Sequence, residues 1–315
     1  MKRKDNLYQE TCKMKNIMQA FDEVCKNTKN KRKVRKYQEY KCVYVSRIYN
    51  IMINKEYEVG PSIIFTIYEP KERRIVSQNL QDKIINHLVS RQILYPTLNT
   101  CLIQENVASI KGRGTREGLR LEREYIRKCN IKYKDYYILK CDISKFFASI
   151  DHDRLKEKIS RRIKDKDALN IVYKIIDSEE QGLGIGNMTS QVLAVFYLND
   201  LDHYIKEDLK IKYYVRYQDD FLLFHESKEY LKECLKNIEK FLQKEKLTLN
   251  KKSRLYKNTN NFIFLGRNSK GRYAKYRNVK RKVKYKTFLY KNNKITIGSL
   301  INTLNCYKRL INTRQ

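Results

Sequence analysis

The chain has no Trp, three Pro and ten Gly in 315 residues, and its eight cysteines include no C-x-x-C pair. Neither a zinc site nor a disulfide framework is indicated, and scattered free thiols fit a reducing cytoplasm. No stretch approaches the roughly 20 apolar residues needed to cross a bilayer. Met1-Lys2-Arg3-Lys4-Asp5 leads into no apolar signal core. Both observations argue against a membrane role. Acidic residues are scarce too: 35 Asp plus Glu face 68 Lys plus Arg, a formal net charge of +33. Solubility needs far less, so the excess implies a polyanionic partner, nucleic acid first and an anionic membrane surface second. Tyr is abundant, and rings interleaved with basic residues suit both base stacking and phosphate contact.

The stretch that organises the rest is Tyr213 to Phe224, which reads as strand, tight turn, strand. Val215 and Tyr217 alternate with Tyr214 and Arg216, the period of a half-buried strand. Phe221 to Phe224 is a continuous apolar run, as in a strand covered on both faces. Between them lie Asp219 and Asp220. Adjacent carboxylates repel unless a cation sits between them, although Asp is also a common turn residue. Taken alone, the pair reads as a turn.

Other segments bear on that choice. Residues 1 to 60 look helical and basic, with Ile17, Phe21 and Cys25 on one face. The run from Lys26 to Lys36 is either a solvated loop or a nucleic-acid contact. Val59-Gly60-Pro61-Ser62 precedes a strand from Ile63 to Tyr68, and Pro70 to Arg74 forms a charged hairpin before a second strand. Leu80, Ile84 and Leu88 mark a helix ending near Arg91. Lys111-Gly112-Arg113-Gly114-Thr115 is a basic loop in which Thr115 reads as the N-cap of the next helix. Tyr136 to Cys141 is a strand ending at Asp142, and Asp151 reads as an N-cap rather than an acid catalyst. A glycine-rich stretch, Gly182 to Gly186, precedes a buried helix over 189–199, and His203 reads as structural. Ser227 caps an amphipathic helix. Short strands follow at Leu247 to Leu249 and Phe262 to Leu265, then a Lys-, Arg- and Tyr-rich tail with little apolar periodicity before Leu300. Helices, then mixed helix and non-sequential strands, then a basic helical tail make an α+β pattern rather than βαβ winding.

A third carboxylate shifts the balance. If the strand ending at Asp142 neighbours the Asp219-Asp220 hairpin, three hard oxygen donors reach one sheet edge, a set that suits Mg²⁺ rather than zinc. Two such ions, about 4 Å apart, clamp the attacking and leaving oxygens of a phosphoryl displacement. From about residue 60 to 266 the chain then resembles the reverse transcriptases. Leu139 to His152 looks like the first palm motif, and Tyr217-Gln218-Asp219-Asp220 is the Y-x-D-D box. Lys252, after Leu247-Thr248-Leu249-Asn250, resembles the next motif, and Phe264-Leu265-Gly266 the primer-grip turn. The Lys111 to Thr115 loop resembles a fingers motif of bacterial members.

The resemblance implies a right-hand polymerase fold: fingers, a palm whose antiparallel sheet carries the Asp triad, and a short helical thumb. On that frame residues 1–60 are a basic helical extension, 61–137 fingers, 138–266 palm, and 267–315 a basic thumb and tail. Asp142, Asp219 and Asp220 would be catalytic and, with the Ile143 carbonyl, would hold two Mg²⁺, with Mn²⁺ as a substitute. Phe147 falls where the family places a ring that clashes with a ribose 2′-hydroxyl; its alternative is core packing. Lys145, Phe146, Ile185, Gly186, Ser190 and Gln191 would line the nucleotide site. Arg74, with Lys71 as a weaker second, would meet the triphosphate, and Lys252 the pyrophosphate, unless these are ordinary surface cations. The implied partners are an RNA template, a DNA or RNA primer, dNTPs and a small basic helical accessory protein.

One departure is informative. Where most reverse transcriptases read Q-G-x-x-x-S-P, this chain reads Ile185-Gly186-Asn187-Met188-Thr189-Ser190-Gln191; Gln181-Gly182 stands too far from Ser190 to serve that frame. The pattern is similar to that of diversity-generating retroelements, in which the Gln replacement accompanies error-prone copying at template adenines. An apolar, less constraining wall would police base-pair geometry less strictly. An antiphage-defence polymerase working with or without a template, a catalytically inactive RNA-holding relative and a simple basic nucleic-acid binder remain as other readings.

Overall fold

The computed structural model describes residues 3–28, 30–67, 72–269 and 276–311. Lys71 and the tip of the charged hairpin therefore lie outside the described residues. Four helices lead the chain, Leu7–Thr11, Met14–Asn27, Lys31–Glu39 and Lys41–Ile53. Met14–Asn27 turns Ile17, Ala20, Phe21 and Val24 inward at helical spacing and packs against the helix Leu80–Val89. Between them runs an antiparallel hairpin of β1 (Ile63–Ile67) and β2 (Arg73–Ser77), with Ile63 opposite Ser77. The expected helix stop near Arg91 does not occur. Leu80–Val89 continues through a π turn, Ser90–Leu94, into Tyr95–Leu98, because Pro96 sits in the first turn of that last segment, where a missing N–H is harmless.

The helix Thr115–Lys132 starts one residue earlier than its expected cap allows. Thr115 is its first helical residue, Gly114 holds the cap position at φ 152°, and no side chain caps it. Asp151 and Ser227 do cap, accepting hydrogen bonds from the amides of Arg154 and Tyr230 at 3.0 and 3.1 Å. The buried helix predicted over 189–199 is Met188–Tyr197, followed by Asn199–His203.

The centre is a four-stranded antiparallel sheet of β3 (Tyr137–Asp142), β4 (Tyr213–Tyr217), β5 (Asp220–His225) and β6 (Arg254–Lys257), in the order β4-β5-β3-β6. β6 takes the edge place beside β3; residues 247–249 contribute only a bridge, Ile143 to Leu249. Both faces of β5 are covered. Phe221 and Leu223 join the large core that also holds the N-terminal helices, while Leu222 and Phe224 join a second core with Tyr125 and Cys129 of Thr115–Lys132. β4 is also buried on both faces, which corrects the half-buried expectation. Its polar member, Arg216, is fully buried because Asp202 is buried beside it. After a two-strand turn of β7 (Ile263–Phe264) and β8 (Arg267–Asn268), the basic tail forms two packed helices, Tyr276–Lys291 and Ile297–Ile311. Among the described residues, no helix is long and apolar enough to cross a membrane.

Candidate active site

Antiparallel pairing of β3 with β5 places Asp142 directly opposite Asp220. The β4-β5 connection is two residues long, and Gln218 takes the positive φ, 56°, that so tight a turn demands. Asp219 is thereby held beside β3, and its carbonyl accepts from the Ile143 amide at 3.2 Å. Three carboxylate-bearing residues thus share one sheet edge. Among the described residues, no three acidic, His or Cys side chains meet as a ready metal cluster. Like charges explain the spread, because each carboxylate is better served by a donor than by another carboxylate.

The donors are specific. Lys140, two residues before Asp142 and on the same face of β3, places its ammonium on the Asp220 carboxylate. Asn250 donates from its side chain to Asp142 Oδ2 at 2.9 Å and from its amide to the Asp142 carbonyl at 2.7 Å. Ser253 Oγ accepts from the Asp142 amide at 3.1 Å. Burial pushes the Asp220 carboxyl up to about 6; Lys140 opposes this, and the Asp142 and Asp219 charges add to it. A site that already attracts an ammonium and penalises bare carboxylate charge fits a hard divalent cation. Glu122, on Thr115–Lys132, lies behind this group. It is 2 % exposed, one carboxyl oxygen has no partner, and burial pushes it up to about 8.

Backbone contacts bring together β2, the 182–186 loop and Phe147. The Val76 amide of β2 donates to the Ile185 carbonyl at 3.1 Å, which ties the β1-β2 hairpin to the 182–186 loop. The Leu183 amide donates to the Phe147 carbonyl at 2.8 Å. Gly182 adopts φ 68°, and a Cβ there would sit 2.4 Å from the Phe147 carbonyl oxygen, so only glycine permits this approach. Arg74 of β2 is exposed and faces Glu179 at 4.0 Å. Ile185 is half-buried, Gly186 and Gln191 are exposed, and Ser190 is buried. Lys145 caps the short helix Phe146–Ser149 in the left-handed region, with its side chain exposed. The structure corrects the expectation for Phe146. Its ring is 2 % exposed in the large core and meets the half-buried Phe147 ring edge-on at 5.8 Å. Lys252 is exposed, and its amide is fixed by the Asn250 side chain at 3.1 Å. Arg113 turns back to donate to the carbonyls of Ile103 and Asn106, both at 3.0 Å, and so braces its own loop.

Sequence reasoning did not single out Lys140, Glu122, Asn250, Ser253, Asp202 or Arg216 as part of the site. For Lys140 a signal existed, since a cation two residues before a strand-end Asp shares its face. For Asp202 and Arg216 there was none, because they lie 14 residues apart and meet only after β4 docks on the helix Asn199–His203.

The family described as reverse transcriptase (RNA-dependent DNA polymerase) matches residues 61–269, well over half of the chain. A curated relative, the putative COX1/OXI3 intron 2 protein of Saccharomyces cerevisiae, is 28% identical over 95 residues, 27% of this chain and 10% of that protein. Among solved structures, apo telomerase from Candida tropicalis truncated from its C-terminal domain superposes with a TM-score of 0.51 at 16% identity, covering 69% of this chain and 56% of that one. Telomerase of the same organism in complex with a TWJ fragment of telomeric RNA gives 0.50 at 15% identity, over 80% and 53%. At such identities the likeness is one of fold, the right-hand polymerase fold with its antiparallel sheet. The chain spans about half the length of these telomerases and a tenth of the intron protein. A family match across the whole central region, on this fold, means that the chain belongs to the reverse transcriptase family.

Proposed function

We propose that the protein is an RNA-directed DNA polymerase that extends a DNA or RNA primer on an RNA template with dNTPs. The observation that carries this reading is the pairing of Asp142 with Asp220 across β3 and β5, with Asp219 in the adjoining turn. Asp142, Asp219, Asp220 and the Ile143 carbonyl would hold two Mg²⁺ ions, or Mn²⁺ in their place. Bound there, divalent ions would supply Lewis-acid chemistry to a primer 3′-hydroxyl and charge neutralisation to pyrophosphate. The protein's own groups do the rest. Asn250 and Ser253 hold Asp142 in place. The Phe147 ring, packed edge-on against Phe146, would exclude a ribose 2′-hydroxyl. Arg74 would meet the triphosphate and Lys252 the leaving pyrophosphate. Residues 61–137 would act as fingers, 138–266 as palm and 267–315 as thumb, with 1–60 an added helical support. No Asp or Glu follows Glu245, so the last 70 residues present only positive side-chain charge to a nucleic acid.

Within this reading the protein is an error-prone enzyme of the diversity-generating kind, working in the cytoplasm with a basic helical accessory protein. The support is the apolar Ile185 wall, whose carbonyl is pinned to β2 and whose side chain offers no hydrogen bond to a base pair. The test is primer extension on a defined RNA with Mg²⁺ and four dNTPs, followed by product sequencing, with Asp219→Ala/Asp220→Ala as control. cDNA from the wild type alone, with errors gathered opposite adenines, is the expected result. Accurate or untemplated product keeps the polymerase and favours antiphage defence. No product, even with cellular RNA and lysate supplied, favours an RNA-holding relative.

A further inference from the structure

The turn that carries Asp219 and Asp220 is supported from the far side of the sheet. Asp220 pairs with Tyr217 on one face, whereas Arg216, paired with Phe221, points to the other. There its guanidinium is fully buried and makes contacts in three directions. Nη1 donates to the Gln218 carbonyl at 3.0 Å, inside the catalytic turn. Nη2 donates to the Val195 carbonyl at 3.2 Å, on the helix whose N-terminal end carries Ser190 and Gln191. Nε donates to Asp202 Oδ1 at 2.6 Å, and the Tyr214 hydroxyl reaches the same oxygen at 2.7 Å. The Arg216 backbone adds two more ties, its amide to the Glu105 carbonyl and its carbonyl to the Val107 amide, both at 3.0 Å.

We propose that Arg216 and Asp202 are positioning residues for nucleotide addition: the Asp202-held guanidinium locks the Gln218 carbonyl and so sets the turn that presents Asp219 and Asp220. The need for a lock is visible in Gln218, a non-glycine residue at φ 56°, which is held only where surrounding contacts over-determine it. Arginine is required because one planar fork must serve a carboxylate and two carbonyls at once. A lysine ammonium keeps the charge but cannot span them. Because the guanidinium also grips the helix behind Ser190 and Gln191, it couples the turn and the nucleotide-binding loop to one rigid point.

This inference rests on the polymerase reading, and the experiment separates the two. Wild-type extension that Asp219→Ala abolishes establishes the reading by itself. Arg216→Lys, Asp202→Asn and the double apolar variant Arg216→Met/Asp202→Leu are then compared by thermal melting and by single-turnover dNTP addition, with rates per active site from burst titration. Apolar replacement of a buried ion pair is often neutral or stabilising, so the double variant removes the lock while sparing the fold. The expected result is a rate loss of about 10- to 100-fold in Arg216→Lys and in the double variant, with the dNTP concentration for half-maximal rate within about twofold of wild type. Wild-type rate per active site in a folded Arg216→Lys or double variant overturns the proposal. So does failure of all three variants to fold, which would make the pair a folding element alone.

Discussion

β1 and β5 are both short apolar strands, Ile-Ile-Phe-Thr-Ile and Phe-Leu-Leu-Phe at their centres, yet they end in opposite environments. Phe221, Leu222 and Leu223 are fully buried, whereas Ile63 and Ile64 are 72% and 52% exposed and Phe65 is 46% exposed. The difference is what flanks each strand. β5 is central in four strands with a core on each face; among the described residues β1 pairs only with β2, and its side chains belong to neither core. Apolar composition therefore specifies what a strand can bury and leaves open what it will bury. Around β5 that capacity stabilises the protein. On β1 it is left as contact surface, beside Arg74 and the 182–186 loop, where a template base or incoming nucleotide would lie under the proposed function.

The comparison is broken most directly by Leu223→Ala against Ile64→Ala. Truncation at Leu223 should lower stability by about 2–5 kcal/mol, and truncation at Ile64 by under about 0.5 kcal/mol, in urea unfolding. Ile64→Ala should instead weaken dNTP or template use in primer extension. Equal stability losses would show that the hairpin is packed as firmly as the sheet. An effect that depends on pH is expected at Glu122, the buried carboxyl beneath the sheet edge. Its pKa is raised to about 8 by burial, so the folded state binds the proton more tightly than the unfolded state. Its contribution is complete at low pH and is lost as pH rises from about 5 through 8, by up to about 1.4 kcal/mol per unit. Glu122→Gln, which stays neutral, should gain stability over wild type as pH rises through that window; a pH-independent difference in melting temperature would refute the assignment. The smallest expected change is at Ile185, on the loop that β2 touches. Ile185→Gln should leave stability and extension rate within about twofold and lower misincorporation opposite template adenines, read by product sequencing. An unchanged error spectrum would remove Ile185 from the fidelity account.

Much of the site was legible because its signals are local. Asp142 at a strand end, the Tyr217 to Asp220 box and the glycine-rich 182–186 stretch each lie within a few residues, and their order is what a family motif records. What escaped is long-range. Asp220 and Lys140 are 80 residues apart in the chain, and Asp142 and Asn250 are 108 apart. The tail reads as helical, but the bounds of its helices are hidden for a different reason. Its charge masks the spacing of Val279, Val283 and Tyr307, so the helices Tyr276–Lys291 and Ile297–Ile311 emerge only once they pack on each other.

By itself, then, the sequence determined the chemistry on offer: hard oxygen donors at strand ends, a large positive charge suited to a polyanion, and an apolar Ile185 in a glycine-rich loop. Those are properties of residue type and near spacing, which no packing alters. Tertiary structure alone decided which groups neutralise one another. It put an ammonium on Asp220, an amide on Asp142 and a buried guanidinium behind the turn. The reason is physical, since charge pairing and desolvation depend on distance and burial, and strand register creates both only when the sheet has closed.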